Sequence, residues 1–98
     1  MFDRFSLSDL SVRVLAAPMA GGPSTPELAA AVSNAGGLGF LAGGLSSAED
    51  LADDILAARK ATSGALGVNL FVPQRGQATE MQLIAFEAAM RPEAERYG

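Results

Sequence analysis

Few side chains in this sequence can do chemistry on their own. The chain has 98 residues and contains neither histidine nor cysteine. This excludes an imidazole base, a Ser-His-Asp triad, a thiolate nucleophile and a thiolate metal site. Acidic residues outnumber basic ones by 11 to 7, giving a net charge of −4. We therefore expect no nucleic acid partner, no anionic membrane surface as a partner, and no metal site.

A corner rich in small residues is the first candidate site. Pro18, Met19, Ala20, Gly21 and Gly22 follow an apolar run, and small residues let a flat or anionic ligand reach backbone N–H groups. The corner lacks the spacing of a Rossmann or Walker A loop. From these residues alone, two interpretations remain open. The corner either binds a ligand, or it is a strand-to-helix link that needs glycine only to turn. Taken by itself, the Met19 side chain is more typical of core packing than of contact with a ring system.

Asn69 is the second candidate, because it is an isolated amide within an apolar run. An amide both donates and accepts, which fits the edge of a flavin, but it also suits a loop cap or a bond to neighbouring backbone. Ser24 and Thr25 are interpreted as helix caps, since no histidine is available to activate them. Phe71 is expected in the core. Asp53 and Asp54 are expected on a solvated helix face.

The elements that would position these residues alternate between strand and helix. Three short apolar runs predict strands at residues 12–17, 38–42 and 66–72. Helices are predicted after each run: one with Thr25 as N-cap and Pro26 at its first position, ending at Gly36, and one capped by Ser46 or Ser47. The last is predicted from Thr79, after a loop at residues 74–77, with Pro92 as a kink or restart.

This βαβαβα order places the carboxyl ends of all strands at one edge of a parallel sheet. Such a pattern belongs to the (β/α)₈ barrel or to the doubly wound sheet, and a complete barrel needs roughly 200 residues. Residues 1–98 therefore form one partial α/β domain of about three βα units. No leader pattern and no apolar run long enough to span a membrane are visible, so a cytoplasmic location is expected.

Three segments in combination resemble class I nitronate monooxygenases. Residues 17–28 (APMAGGPSTPEL) resemble the opening signature of that family. Residues 35–41 (AGGLGFL) resemble its second strand with the lead-in, and residues 67–73 (GVNLFVP) resemble its third strand. The order and the spacing agree with the family over roughly residues 10 to 75.

The resemblance implies the N-terminal portion of a TIM barrel that holds FMN at the carboxyl ends of its strands. Family members oxidise alkyl nitronates, including propionate 3-nitronate, with O₂. Carried over by motif, Pro18, Met19, Ala20 and Gly21 would lie beside the flavin, and Asn69 would hydrogen-bond it. The family's catalytic histidine and its phosphate-binding loops belong to later strands. The resemblance thus implies no catalytic residue within this chain, which is expected to be inactive alone.

Two alternatives to the nitronate monooxygenase hypothesis remain. An FMN-dependent enoyl-acyl-carrier-protein reductase shares the Pro-Met corner, although the longer signature through Leu28 favours the monooxygenase. A non-catalytic partial barrel is the other alternative, as a fragment or in assembly with a partner chain. Two open sheet edges would favour self-association of such a unit.

Overall fold

A computed structural model of the protein describes residues 4–73 and 76–98. Along the described residues, a short 3₁₀ turn comes first, and helices then alternate with short strands. The turn is Leu7–Asp9, and the remaining elements are α1 (Pro26–Asn34), β1 (Gly39–Ala42), α2 (Ala48–Ala61), β2 (Leu66–Asn69) and α3 (Glu80–Tyr97). Gln74 and Arg75, part of the predicted loop, lie outside the described residues.

Helix α1 begins as its sequence predicts. The side chain of Thr25 accepts a hydrogen bond from the Leu28 N–H at 3.1 Å, and Pro26 occupies the first helical position. This arrangement satisfies an otherwise orphaned helical donor and uses a residue whose missing N–H has no cost there. The helix ends at Asn34, and Gly36 then turns the chain with a φ of 95°.

Helix α2 is capped by Ser47, the second of the two predicted N-cap residues. The hydroxyl of Ser47 accepts from the Asp50 N–H at 3.1 Å and donates to the Asp50 carboxylate at 2.8 Å. An apolar stripe of Leu51, Ile55 and Ala58 faces inward, and Ala58 is completely buried. The three positions are three or four residues apart, which places them on one side of a helix.

The sheet is parallel and has two strands. Its register pairs Gly39 with Leu66 and continues to Ala42 with Asn69. The core centres on Ala29, Leu41 and Ala58, with Leu51, Ile55 and Leu66 packed around them. Both α1 and α2 contact β1, so the order of elements agrees with the crossovers expected for parallel strands.

The predicted strand at residues 12–17 is wrong in extent, because it reduces to a single bridge between Leu15 and Leu38. Around it, the Leu38 N–H donates to the Val14 carbonyl, and the Ala16 N–H donates to the Leu38 carbonyl, both at 3.0 Å. Two features explain the short ladder. Gly36 has left-handed backbone geometry, so pairing begins only after the glycine turn. Pro18, two residues after Ala16, has no N–H to donate, so the ladder does not continue along β1.

The predicted strand at residues 66–72 is also too long. It ends at Asn69, directly opposite the last residue of β1, and the Gly43 N–H donates the closing bond to the Asn69 carbonyl. The prediction that Phe71 is a core residue is wrong as well, since it is 67% exposed. Its ring lies beside the backbone of Gly44 instead.

Helix α3 stands apart from the rest of the described chain. Thr79 and Gln82 form a capping box at its start, and the helix continues through Pro92 without a break. The predicted start is confirmed, whereas the predicted restart at Pro92 does not occur. Among the described elements, α3 contacts none of the others. Within the described residues, no helix is long and apolar enough to cross a membrane.

Candidate functional site

A groove of about 250 Å³ opens beside the corner between the first extended segment and α1. One wall is formed by the corner and the first residues of α1. The other wall is formed by the carboxyl end of β1 and the side of α2 that faces the corner. Its lining residues are Met19, Ala20, Gly21, Gly22, Ser24, Thr25, Pro26, Ala42, Ser46 and Asp54. The groove therefore lies at the carboxyl-terminal edge where parallel α/β proteins place their ligands.

The corner is held by a hydrogen bond across its own loop. The Ser24 hydroxyl accepts from the Met19 N–H at 2.7 Å, so Ser24 closes the corner while Thr25 caps the helix. Gly21 and Gly22 have φ values of 84° and 116°, a region that residues with a Cβ atom rarely enter. No atom lies within 4 Å of where a Cβ on either glycine would stand. Glycine is thus required by the turn, and the space beside it is open.

Met19 lies on the groove and not in the core. It is 43% exposed, so the local interpretation as a core-filling side chain is wrong. Ala20 and Gly21 line the same groove, whereas Pro18 precedes it and is absent from its lining. Three of the four predicted corner residues are therefore brought together at one surface.

Asn69 lies at the same edge of the sheet but outside the groove lining. It is the β2 partner of Ala42, which does line the groove. The backbone carbonyl of Asn69 accepts from Gly43 at 2.9 Å, and its side chain is half-buried. Within the described ranges, no side-chain hydrogen bond involves the Asn69 amide. The alternative in which this amide caps a loop or bonds neighbouring backbone therefore has no corresponding bond among the described residues.

Two polar residues that line the groove from the side of α2 were not predicted to lie at the site. Ser46 donates to the Ala42 carbonyl at 3.4 Å, and Asp54 reaches the groove from α2. The expectation that Asp54 faces solvent is wrong, because it is partly buried, while Asp53 is exposed as expected. The signal was available: Asp54 falls three residues after Leu51 and four before Ala58, on the inward side of α2.

The charge of the lining restricts what the groove can bind. Asp54 is its one ionisable residue, and no lysine or arginine contributes. A phosphate dianion would meet a carboxylate and no cation there, which is unfavourable at short range. A neutral, flat group that bonds backbone or hydroxyl groups suits the lining better. The described residues contain no cluster of three or more metal-ligating side chains.

Comparisons with known proteins agree on one family. The sequence model for nitronate monooxygenases matches residues 5–96. Probable nitronate monooxygenases from Staphylococcus aureus, strains JH9 and Newman, are 40% identical over 79 residues, which is 81% of this chain and 22% of theirs.

A solved structure extends this likeness to three dimensions. The nitroalkane oxidase from Streptomyces ansochromogenes superimposes with a TM-score of 0.68 at 38% identity, covering 93% of this chain and 25% of that one. The predicted fold class, an α/β N-terminal portion of a (β/α)₈ barrel, is confirmed by this match and by the open parallel sheet. The chain spans about a quarter of the length of these relatives. It belongs to the nitronate monooxygenase family.

Proposed function

We propose that this chain provides the N-terminal side of an FMN site in a nitronate monooxygenase. The observation that supports it best is the groove at the carboxyl edge of the sheet, with its open glycine corner. Apart from Met19, the residues that line it are small or polar, and they lie where an enzyme of parallel α/β architecture holds its ligand.

The fit to FMN is partial and differs between the two ends of the cofactor. The glycine corner leaves room for a planar ring edge to approach the backbone, because a Cβ at Gly21 or Gly22 would meet nothing. The phosphate end does not fit this groove, since Asp54 is its sole ionisable residue. We therefore propose that this chain contacts the ring system of FMN. In a complete site, residues outside this chain would bind the phosphate.

Each proposed contact has a specific role. Pro18 fixes the direction of the chain entering the corner, because its ring restricts φ. Met19 offers an apolar surface beside the ring, and the backbone of Ala20 and Gly21 offers groups for hydrogen bonding. The half-buried Asn69 amide can both donate to and accept from a pyrimidine-like edge. FMN, when bound, would supply the redox chemistry with O₂.

The proposed substrate class is alkyl nitronates, including propionate 3-nitronate. This follows the resemblance and the names of the relatives, which are a probable nitronate monooxygenase and a nitroalkane oxidase. The chain contains no histidine, so it has no imidazole for proton transfer. Residues 1–98 alone should therefore neither oxidise nitronates nor retain FMN. The family match favours this function over that of an enoyl-acyl-carrier-protein reductase.

The first test uses the purified chain. FMN is added, the protein is desalted, and both bound flavin absorbance and nitronate-dependent O₂ uptake are measured. We expect neither signal. A chain that stays yellow and consumes O₂ with a nitronate would show that its own residues suffice, against the proposed division of the site.

The second test places the chain in a complete barrel. The 79 residues that match the Staphylococcus aureus relative replace their counterparts in that protein, and FMN affinity of the chimera is measured by fluorescence. Asn69→Ala should weaken FMN binding about tenfold, as expected for one lost hydrogen bond of roughly 1–1.5 kcal/mol. Asn69→Asp, which keeps the shape and loses the donor, should also weaken it.

Asn34→Ala is the matched control. The Asn34 amide donates to the Ala61 carbonyl at 3.1 Å, joining α1 to α2 away from the corner. Its loss should lower stability and leave FMN affinity unchanged. Equal FMN affinity in the Asn69→Ala chimera and its parent would remove Asn69 from the proposed site.

A further inference from the structure

The two strands place alternate side chains on opposite sides of the sheet. Leu41 of β1 and Leu66 of β2 pack with Ala29 and Ala58, so they face the helices. Because successive strand residues point to opposite faces, their neighbours along each strand face away from α1 and α2. We call this the inner side of the sheet, since it becomes the interior of a complete barrel. The register pairs the inner residues as Phe40 with Gly67 and Ala42 with Asn69.

The first of these inner pairs joins an aromatic ring to a glycine. The Phe40 ring lies against Gly67, and a Cβ atom at Gly67 would overlap the ring. In the next pair, Ala42 has no polar atom in its side chain to meet the amide of Asn69. That amide makes no side-chain hydrogen bond in the described part of the chain. The Phe40 ring therefore lies beneath an amide that is free to donate and to accept.

A second ring lies above the amide, at the carboxyl edge of the sheet. The alternation of side chains continues past the end of β2, because Leu70 lies with Leu51 of α2 beside Gly43, on the helix side. Phe71 accordingly falls on the inner side. Its ring lies against the backbone of Gly44, where a Cβ atom would overlap it. The position of this ring is thus set by contacts within the chain.

The height of Phe71 above Asn69 indicates what its ring could contact. Residues two apart on a strand are separated by about 7 Å. A substrate that reacts with a flavin held by the amide must lie about 3–3.5 Å from that flavin. The remainder of the substrate, on the side away from the flavin, would then reach the level of the ring. A phenyl ring offers apolar contact and no hydrogen bond, which suits an alkyl chain.

We propose that Phe71 is a specificity-determining residue, which contacts the alkyl chain of the nitronate and favours longer apolar chains. This inference rests on the proposed function, because Asn69 would hold the flavin below the ring. Gly44 positions the ring by admitting it against its backbone. A contact that contributes to binding alone changes KM and leaves kcat nearly constant.

The experiment uses the chimera described above, with ethyl nitronate and butyl nitronate as paired substrates. Phe71→Ala should lower kcat/KM for butyl nitronate about tenfold relative to ethyl nitronate, since two CH₂ groups lose a contact that contributes about threefold each. The change should appear in KM, with kcat altered less than about twofold. FMN affinity, measured by fluorescence, should stay the same, because the ring lies away from the amide.

Two further variants test the position and the nature of the ring. Gly44→Ala displaces the ring and should reduce the same preference, but it should add little in combination with Phe71→Ala. Phe71→Leu keeps an apolar side chain and should lose about threefold of the preference. Bound flavin absorbance checks that each variant folds, and Phe71→Leu decides the question if Phe71→Ala does not fold.

Leu70→Ala is the matched control. Leu70 is 62% exposed, against 67% for Phe71, but it lies on the helix side of the sheet. Its loss should leave the preference between the two nitronates unchanged. An equal loss of preference in Leu70→Ala and Phe71→Ala would overturn the assigned contact, because the effect would not depend on the side of the sheet.

The unsubstituted chimera separates this inference from the proposed function. A chimera that neither binds FMN nor oxidises nitronates would overturn both. In an active chimera, an unchanged preference in Phe71→Ala would overturn the role of Phe71 and leave the FMN site in place. Loss of FMN affinity in Phe71→Ala, with the preference unchanged, would likewise assign the ring to the cofactor and not to the substrate.

Discussion

Ser33 shows how one side chain can join a helix to both strands. It is buried, its hydroxyl accepts from the Gly39 N–H at 3.2 Å, and it donates to the Ala65 carbonyl at 2.5 Å. The hydroxyl therefore connects α1 to the first residue of β1 and to the residue before β2. Polar groups this deep contribute to stability only when they are paired, as both are here.

Ser33→Ala should lower the free energy of unfolding by about 1–3 kcal/mol, because it leaves the buried Gly39 N–H and the partly buried Ala65 carbonyl without their partner. Chemical denaturation of the two proteins measures the difference. Ser63→Ala is the control: this serine is exposed, and its loss should change stability by less than about 0.5 kcal/mol. Equal effects of the two changes would contradict the bridging role of Ser33.

Several residue roles could be predicted from the sequence, because they depend on neighbours a few residues away. The caps at Thr25 and Thr79 are of this kind, since a hydroxyl and an N–H three residues later are sufficient. Met19 could not be placed this way, and the spacing of Asp54 from Leu51 and Ala58 puts it on the inward side of α2 without indicating a groove. Whether they face a groove depends on how α2 and the corner approach each other across the fold.

Among the elements, the first and last α-helices depend on their N-terminal caps to different degrees. Helix α1 has nine residues and packs on β1 and α2, whereas α3 has 18 residues and packs on no described element. Most helical stability in proteins comes from packing on other elements, so local interactions decide the population of a helix that lacks such packing. Helix α3 should therefore be the element most sensitive to its own sequence.

Thr79→Ala should reduce the helical content of α3 and accelerate its amide hydrogen exchange, because an N-cap contributes about 1 kcal/mol. Exchange followed by NMR under dilute conditions would resolve the effect residue by residue. Thr25→Ala is the parallel change at α1, where packing supports the helix. There, it should lower global stability by about the same amount while α1 amides stay protected. Equal protection of α3 and α1 in the wild type would contradict this ranking.

Strand boundaries were the weaker part of the sequence prediction, for a physical reason. The apolar run at residues 66–72 continues past Asn69, but the ladder ends there because β1 ends at Ala42. The run at residues 12–17 meets a partner that has just left a glycine turn. A strand needs a neighbour along its whole length, and the sequence of one segment does not reveal where its neighbour ends.

At the scale of the whole molecule, the described chain is extended. Its radius of gyration is 18.5 Å, with principal extents of 49 × 29 × 25 Å. A compact chain of this length would have a radius of about 13 Å. The difference reflects α3, which contacts none of the other described elements.

Small-angle scattering at low concentration should therefore give a radius of gyration close to 18.5 Å. A variant truncated before Thr79 should approach the value of a compact unit. The cost to the remaining fold should be small, because α3 makes no contacts with its described elements. A full-length radius near about 13 Å would mean that α3 folds back on the sheet, against its separate position.

Gly39 has a consequence for which sequences this fold admits. It begins β1 directly beneath α1, and a Cβ there would overlap the backbone of Ala29. Backbone atoms cannot move away as a flexible side chain can. Even an alanine at position 39 would therefore require α1 to shift. Every amino acid other than glycine is thus unavailable at this position by geometry alone. A chain that carries a larger residue there must hold its first helix farther from its sheet, and this one position reports that spacing.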